Sequence, residues 1–429
     1  VSGLLDENMG DTCPQSIIDA LPDYTADEIR EAYGELYELK KTGQLFAQDD
    51  YIDVSRYIPV NAPVKALCLH VAHDCNLRCK YCFASTGDFG QGRKIMPPEI
   101  AKKAIDFVIA RSGVRHNIEV DFFGGEPLMA WDTVTQTVDY ARSLEEKYNK
   151  KFRFTITTNG LLLDEDKRKY INENMDNCVL SLDGRREVND AFRKTVAGTG
   201  SYDTIVPKFK ALVDERDPNL DYYARGTFTS HNLDFAEDVL SIADAGFDRL
   251  SVEPVTADPG CGYDLTEDDL PKIEAEYDRL TDIMLERKKE GKPFTFFHFM
   301  VDLDQGPCVV KRLRGCGAGY EYVAVTPDGD IYPCHQFVGK DEFKQGSVLD
   351  QSFNMDIAQK FAGMNIYSRP KCQKCWAKFY CSGGCSAANY NMNHDMNDSY
   401  DLGCEMERKR LECAIYLKAM DKICANQSK

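Results

Sequence analysis

The sequence predicts an α/β protein built around an open, partial (β/α)6 barrel, with a small helical module before it and a cysteine-rich segment behind it. Three observations lead there. Between Ala66 and Gly291, short runs rich in β-branched and aromatic residues alternate six times with helical stretches. Polar or glycine-bearing motifs follow the first four of those runs. The seventeen cysteines are unevenly placed, three within Cys75–Cys82 and four within Cys372–Cys385.

At 429 residues, the chain has room for one enzyme-sized domain and one or two attachments. Hydrophobic residues at 43% and charged residues at 28% match an ordinary soluble globular protein. No run approaches the ~18 apolar residues of a membrane span, and the start lacks a signal-peptide pattern. Neither a membrane nor a nucleic-acid partner is expected, because a formal charge of −18 repels phosphate backbones. The chain opens on Val1, so further residues are expected before it. A disulfide framework belongs to short secreted chains. Closely spaced cysteines in a large chain without a signal point instead to metal binding in the cytoplasm.

Residues 1–60 read as an acidic module. Thr25-Ala26-Asp27-Glu28 is a capping box, and Ile29, Ala32, Leu36 and Leu39 follow at core-facing spacing until the helix stops near Gly43. Two helices and a short extended segment resemble part of a winged helix. Residues 61–291 hold the barrel. Its strands are expected at Ala66–Ala72, Ile118–Phe123, Phe152–Thr158, Cys178–Leu182, Tyr222–Thr229 and Arg249–Val255, with helices such as Pro98–Ala110, Trp131–Tyr148 and Phe235–Ala245 between them. Such alternation makes a parallel sheet of right-handed crossovers, and six units leave the barrel open. Residues 292–315 form a bridge. Residues 316–404 are rich in Cys, Gly, Tyr and Asn and too poor in aliphatic side chains for much of a core, so metal is expected to hold them together. Residues 405–429 form a terminal segment, with a helix over Glu405–Cys424.

Chemistry is expected at the C-terminal edge of the strands, where barrel enzymes place it. There Cys75-x3-Cys79-x2-Cys82 follows the first strand, Gly124-Gly125-Glu126-Pro127 the second, Thr157–Gly160 the third and Ser181–Gly184 the fourth. A structural zinc wants four ligands, whereas three cysteines on one loop suit an iron–sulfur cubane with one iron left for a substrate. The three-cysteine loop, with Tyr81 before its last cysteine and Gly124–Pro127 at the next strand end, resembles the radical S-adenosylmethionine (SAM) superfamily. The resemblance implies that Cys75, Cys79 and Cys82 hold a [4Fe–4S] cluster and that SAM chelates its open iron. Electron transfer from the cluster then yields a 5′-deoxyadenosyl radical that abstracts a substrate hydrogen. It also implies that Gly124, Gly125 and Glu126 meet the methionine amine and that Tyr81 packs near the adenine. Asn159 and Ser181 become candidates for the ribose and carboxylate. Arg225 is a candidate partner of the SAM carboxylate or of a neighbouring acid, and Glu253 is a weaker candidate.

Further on, Cys316-x12-Gly329-x4-Cys334, Cys372-x2-Cys375-x5-Cys381-x3-Cys385 and Cys404 resemble the SPASM domain. That resemblance implies two auxiliary [4Fe–4S] clusters, three in all. An outer one lies on Cys372, Cys375, Cys381 and Cys404, and an inner one on Cys316, Cys334 and Cys385. Two cubanes need eight ligands and the pattern supplies seven, so either Cys308 completes the inner cluster or one iron stays open to a substrate group. Cys13, Cys68, Cys178, Cys261, Cys413 and Cys424 follow no such pattern and read as small buried hydrophobes.

Radical SAM proteins with a SPASM domain modify peptides and proteins. Maturases of ribosomally made peptides often begin with a winged-helix-like recognition domain that binds the leader as an added strand, and residues 1–60 look like one lacking its first strands. The stretches Val64–Ala84, Glu119–Pro127 and Tyr332–Phe337 look like the SCIFF-peptide (ranthipeptide) maturases, which join a Cys sulfur to another side chain, commonly Thr. Sulfatase-maturing relatives carry a carboxylate directly after the cysteine matching Cys334. Here His335 stands there, which counts against formylglycine formation. His335 is a candidate proton acceptor for a substrate thiol or a hydrogen-bond partner near the cluster. The expected partners are a cysteine-rich precursor peptide with a leader and an external low-potential electron donor. The alternatives are another SPASM peptide-modifying reaction, such as formylglycine formation or carbon–carbon cross-linking, and a non-catalytic iron–sulfur peptide-binding protein.

Overall fold

A computed structural model of the chain describes residues 5–49, 51–53, 62–303 and 308–427. It divides into two compact units, residues 1–58 and 59–429.

In the first unit, helices Gln15–Asp19 and Ala26–Lys41 pack around Met9, Ile17, Ile29 and Tyr33. The capping box forms as expected. The Glu28 amide donates to Thr25 Oγ1 at 3.3 Å, and the Thr25 amide donates to Glu28 Oε2 at 2.8 Å. The buried face is shifted from the expected one: it runs through Ile29, Tyr33 and Leu36, while Ala32 and Leu39 are exposed. Tyr33 wins the inward position because its ring fills the gap between the helices and its hydroxyl donates to the Gly10 carbonyl at 3.0 Å. Gly43, at φ 71°, ends the helix in the left-handed region. Residues 51–53 are helical rather than extended, and the expected boundary at 60/61 lies outside the described residues.

The second unit is organised by one sheet. Its strands are β1 (Ala66–His73), β2 (Lys94–Ile95), β3 (Asn117–Gly124), β4 (Lys151–Thr158), β5 (Asn177–Ser181), β6 (Asp221–Phe228), β7 (Arg249–Pro254), β8 (Thr295–Phe296), β9 (Tyr322–Val325), β10 (Asp330–Tyr332), β11 (Gly346–Ser347) and β12 (Ser352–Phe353). Their order is β12-β11-β10-β9-β1-β3-β4-β5-β6-β7-β8, with β2 attached to β1. The six expected strands are all present and parallel. Period-two patterning decides their faces. Leu67, Leu69 and Val71 of β1, Val120 and Phe122 of β3, and Phe152, Phe154 and Ile156 of β4 are buried in the main core. Helices Pro98–Arg111, Trp131–Tyr148, Glu165–Asn174, Tyr202–Asp214, Phe235–Asp244 and Leu270–Lys289 connect the strands. The alternate residues, among them Cys68, Asp121, Thr155, Ser181 and Arg225, form the other, more polar face.

The open edges are not bare. β8 extends one side, and β9 pairs in parallel with β1 on the other, Cys68 opposite Ala324. The cysteine-rich segment thus continues the barrel sheet. It also has a core, contrary to expectation, and that core is aromatic. Phe337, Phe343, Phe361 and Tyr390 meet at ring separations of 4.4–6.0 Å. A fully buried ring such as Phe337 contributes about 1.5–3 kcal/mol, which offsets the shortage of aliphatic residues.

The terminal helix runs Asp401–Gln427, so Cys404 sits in its first turn. Cys68, Cys178 and Cys413 are buried as expected and Cys13 is half-buried. Cys261 and Cys424 are exposed, because one lies in the loop after β7 and the other near the end of the terminal helix. Among the described residues no helix is long and apolar enough to cross a membrane.

Candidate active site

The loop leaving β1 carries Cys75, Cys79 and Cys82, and the end of β3 is pressed against it. The Gly125 amide donates to the Ala72 carbonyl at 2.8 Å and the Glu126 amide to the Asp74 carbonyl at 2.9 Å. A Cβ on Gly124 or Gly125 would collide with those same carbonyl oxygens, and Gly124 has φ 126°. This close approach is what the Gly-Gly pair permits. Around Cys75, its sulfur accepts from the Leu77 amide at 3.3 Å and from Asn159 Nδ2 at 3.5 Å, and Nδ2 also donates to Asn76 Oδ1 at 2.8 Å.

Glu126 is buried, and its carboxylate ties β3 to β4. Oε1 accepts from the Leu128 amide at 3.0 Å and from the Thr158 hydroxyl at 2.8 Å; Oε2 accepts from the Asn159 amide at 2.8 Å. Burial pushes its pKa up to about 7, against the pull of those donors. Of a carboxylate's roughly four acceptor sites three are taken, which leaves about one for a ligand. Tyr81 is held the same way. Its hydroxyl donates to Asp183 Oδ2 at 2.6 Å, and Arg193 pairs with Asp183 Oδ1 at 2.9 Å. Asp183 and Arg193 had no assigned role from the sequence. Asp183 stands in the Ser181–Gly184 motif at a strand end, whereas Arg193 lies in a loop with no short-range pattern.

One cavity at this strand edge is lined by Cys75, Cys79, Tyr81, Cys82, Gly124, Gly125, Glu126, Asn159, Ser181, Arg193, Arg225, Glu253 and His335. Every residue expected around the first cluster and SAM is therefore on one wall or another of it. Arg225 is paired with Glu253, the second of its two candidate partnerships. Against the effect of burial, Arg225 and then His298 hold the Glu253 carboxyl below its usual range.

The second cysteine set divides between two further cavities. An inner one, enclosing about 690 Å³, is lined by Cys316, Cys334 and Cys385 and shares Arg225, Glu253 and His335 with the barrel cavity. An outer one, of about 210 Å³, is lined by Cys372, Cys375, Cys381 and Cys404. Cys308 is exposed and lines none of the three. Burial pushes the thiols of Cys75, Cys79 and Cys381 up to about 12 and that of Cys404 to about 11, and it also raises Cys82, Cys334 and Cys385. Such thiols ionise only beside a compensating cation. Among the described residues no three His, Cys, Asp or Glu groups converge closely enough for a single ion. All-thiol sets around cavities fit iron–sulfur clusters in donor chemistry and in space.

His335 is half-buried against Phe83 and Phe123, with Nδ1 3.3 Å from the Tyr322 hydroxyl. Burial, and then the charge of Arg225, hold its pKa at about 4. The imidazole is neutral near pH 7 and a weak base there, which favours the hydrogen-bonding role over proton abstraction.

Comparison with known proteins agrees with this geometry. The radical SAM superfamily matches residues 69–223, and the SPASM iron–sulfur cluster-binding domain matches residues 316–376. The cysteine-type anaerobic sulfatase-maturating enzyme of Clostridium novyi is 25% identical over 354 residues, covering 77% of this chain and 90% of its own. The solved structure of native anSMEcpe with bound AdoMet superposes with TM-score 0.70 at 21% identity, over 86% of this chain and all (100%) of that one. Streptococcus suis SuiB bound to precursor peptide SuiA gives TM-score 0.57 at 17% identity, over 93% and 83% of the two chains. The chain carries a radical SAM domain followed by a SPASM domain. Its cofactors are accordingly SAM and [4Fe–4S] clusters.

Proposed function

We propose that this protein is a peptide maturase that joins a cysteine sulfur to another side chain, commonly of Thr, in a ribosomally made cysteine-rich precursor. The observation that carries this reading is the shared wall of Arg225, Glu253 and His335 between the barrel cavity and the inner cavity of Cys316, Cys334 and Cys385. A peptide lying along that wall reaches both metal centres. Cys75, Cys79 and Cys82 hold the first cluster. Gly124 and Gly125 offer backbone groups to the SAM amine, with the last acceptor site of Glu126 beside them. Asn159 and Ser181 face the ribose and carboxylate, and Arg225 lends its guanidinium to the carboxylate. Tyr81, fixed by Asp183, packs on the adenine side. Cys316, Cys334 and Cys385 hold the inner auxiliary cluster, and Cys372, Cys375, Cys381 and Cys404 hold the outer. When bound, SAM and the first cluster supply hydrogen-atom abstraction from an unactivated carbon. The chain's own contribution is to exclude water, hold the peptide sulfur near the chosen carbon and receive electrons from an external donor. The first unit binds the leader.

Co-production with a neighbouring cysteine-rich peptide, followed by mass spectrometry, tests this. A cross-link is expected as loss of a hydrogen pair together with a cysteine that no longer reacts with iodoacetamide. The sulfatase-maturating relative favours a second reading, oxidation of a peptide cysteine to formylglycine, and an aldehyde trapped by a hydrazide reagent would establish it instead. His335, standing where those enzymes carry a carboxylate, weighs against that outcome.

A further inference from the structure

A third space, of about 470 Å³, opens beside the barrel cavity and shares Tyr81, Cys82, Phe83, Thr256, His335 and Gln336 with it. Its far wall holds Lys340, Tyr390 and Asn391. Lys340 is half-buried, with its ammonium 4.7 Å from the centroid of the Tyr390 ring. It donates one hydrogen bond, to Asn391 Oδ1 at 2.5 Å, and makes no ion pair among the described residues. An ammonium has three donors. Asp341 and Glu342 follow Lys340 in sequence without pairing with it; Glu342, whose charge is felt at the ammonium, accepts the Tyr390 hydroxyl at 2.9 Å instead. A cation partly withdrawn from water, against aromatic walls and with donors to spare, is unfavourable until an anion meets it.

The anion's class follows from the rest of the lining. Asp258 faces the same space from the loop after β7 and is exposed. Its charge, felt at Lys340 without an ion pair forming, disfavours a polyanion such as a phosphate ester, while a single carboxylate can still meet the ammonium. Phe83, Phe89 and Tyr263 provide apolar surface for the chain carrying that carboxylate. The space continues directly into the barrel cavity, so its occupant neighbours the reacting residue.

We propose that this side cavity receives the stretch of peptide flanking the modified residue, and that Lys340 binds the side-chain carboxylate of an Asp or Glu on it. The inference rests on the peptide-modifying reading above and adds a specificity rule to it.

The test uses the holoenzyme with SAM and a displayed peptide library in which one cysteine is fixed and its flanks are randomised. Wild-type protein is expected to enrich Asp and Glu at one offset from the cysteine. Lys340→Glu should lose that enrichment and favour Lys or Arg at the same offset, and Lys340→Arg should keep it. Lys340→Gln should bind a selected acidic peptide about tenfold more weakly in fluorescence anisotropy, the size of a charge-assisted hydrogen bond. The amide counterpart of that peptide should bind wild type and Lys340→Gln alike. Iron content and peptide-free SAM cleavage, unchanged from wild type, show that a variant is folded, and Lys340→Gln serves if Lys340→Glu is not. Cysteine peptides enriched without an acidic preference, or an acidic preference that survives Lys340→Glu and an affinity that survives Lys340→Gln, would overturn the assignment alone. Enrichment of no cysteine peptide at all would overturn the peptide reading, and this inference with it.

Discussion

Arg225 on β6 and Glu253 on β7 form an ion pair that faces the barrel cavity on one side and the inner cysteine cavity on the other. The pair stands on adjacent strands, with Arg225 opposite Ser251 in register and Glu253 opposite Thr227. A guanidinium can serve Glu253 and a ligand carboxylate together because its donors form a planar fork. Arg225→Gln is therefore expected to weaken SAM binding about tenfold, measured by anaerobic equilibrium dialysis. Glu253→Gln, which frees the guanidinium, should leave affinity within about twofold or tighten it. Wild-type affinity in Arg225→Gln would reduce the pair to a structural strut.

Glu126 offers a sharper substitution. Its carboxylate accepts from the Leu128 amide, the Thr158 hydroxyl and the Asn159 amide, so both oxygens are engaged by donors. Glu126→Gln must turn its own NH2 toward at least one of the two backbone N–H groups. Leaving a buried donor unsatisfied costs about 1–3 kcal/mol. The expected result is a lower midpoint in denaturant with an unchanged slope, for protein prepared without cofactors as well as with them. Equal midpoints would mean that the β3 and β4 ends are held by the Gly124–Gly125 approach alone.

The barrel was legible because its signals are local. Strands such as β3, β4 and β7 alternate apolar and polar residues, β1 is a short run buried throughout, and each boundary fell within a residue or two of the structure: Ala66–Ala72 became Ala66–His73, and Trp131–Tyr148 was unchanged. The candidate residues that line the barrel cavity were legible where they follow strand ends, as Cys75–Cys82, Gly124–Glu126 and Asn159 do. What escaped depends on pairing across distance. Tyr322–Val325 joins β1 from more than two hundred residues away and is only four residues long. Phe337, Phe343, Phe361 and Tyr390 form a core without any helical or strand period. Arg193 reaches Asp183, and Asp183 reaches Tyr81, through loops whose geometry no short pattern encodes. Lys340 has no motif at all, and its surroundings became visible only once the segments carrying Phe83, Asp258 and Tyr390 were brought together.

The first unit is separable in the structure, being compact by itself with its own capped helix and small core. Deleting residues 1–58 is expected to weaken binding of a leader-bearing precursor at least about tenfold, as loss of a docking module does. Peptide-free SAM cleavage should stay close to that of the full chain. Unchanged precursor affinity would assign leader binding to the second unit. A DNA affinity that survives physiological salt would point to a nucleic-acid partner instead.

Cluster content gives an independent check on the cysteine sets. Three cubanes amount to about twelve irons per chain. Replacing Cys75, Cys79 and Cys82 together with Ala should remove about a third of the iron and abolish SAM cleavage, while absorbance from the auxiliary clusters remains. Stoichiometric zinc with little iron in anaerobically prepared protein would sink the assignment of all three cavities.

The inner cavity raises the finer question of its ligand count. Cys316, Cys334 and Cys385 line it, three thiols for a cluster that takes four ligands. Cys308 lies only eight residues before Cys316 in sequence. In the structure it caps the short helix Val309–Arg314, is exposed, and does not line the cavity. A cluster ligand needs its sulfur directed at the iron, and an exposed helix cap does not provide that here. Cys308→Ala is therefore expected to leave iron content and cross-linking rate unchanged, so that one position of the inner cluster has no cysteine of this chain. Loss of about four irons would make Cys308 the fourth ligand. In that case Cys308 must turn toward the cavity when the cluster is assembled, and its protection from alkylation in the iron-loaded protein would show it directly.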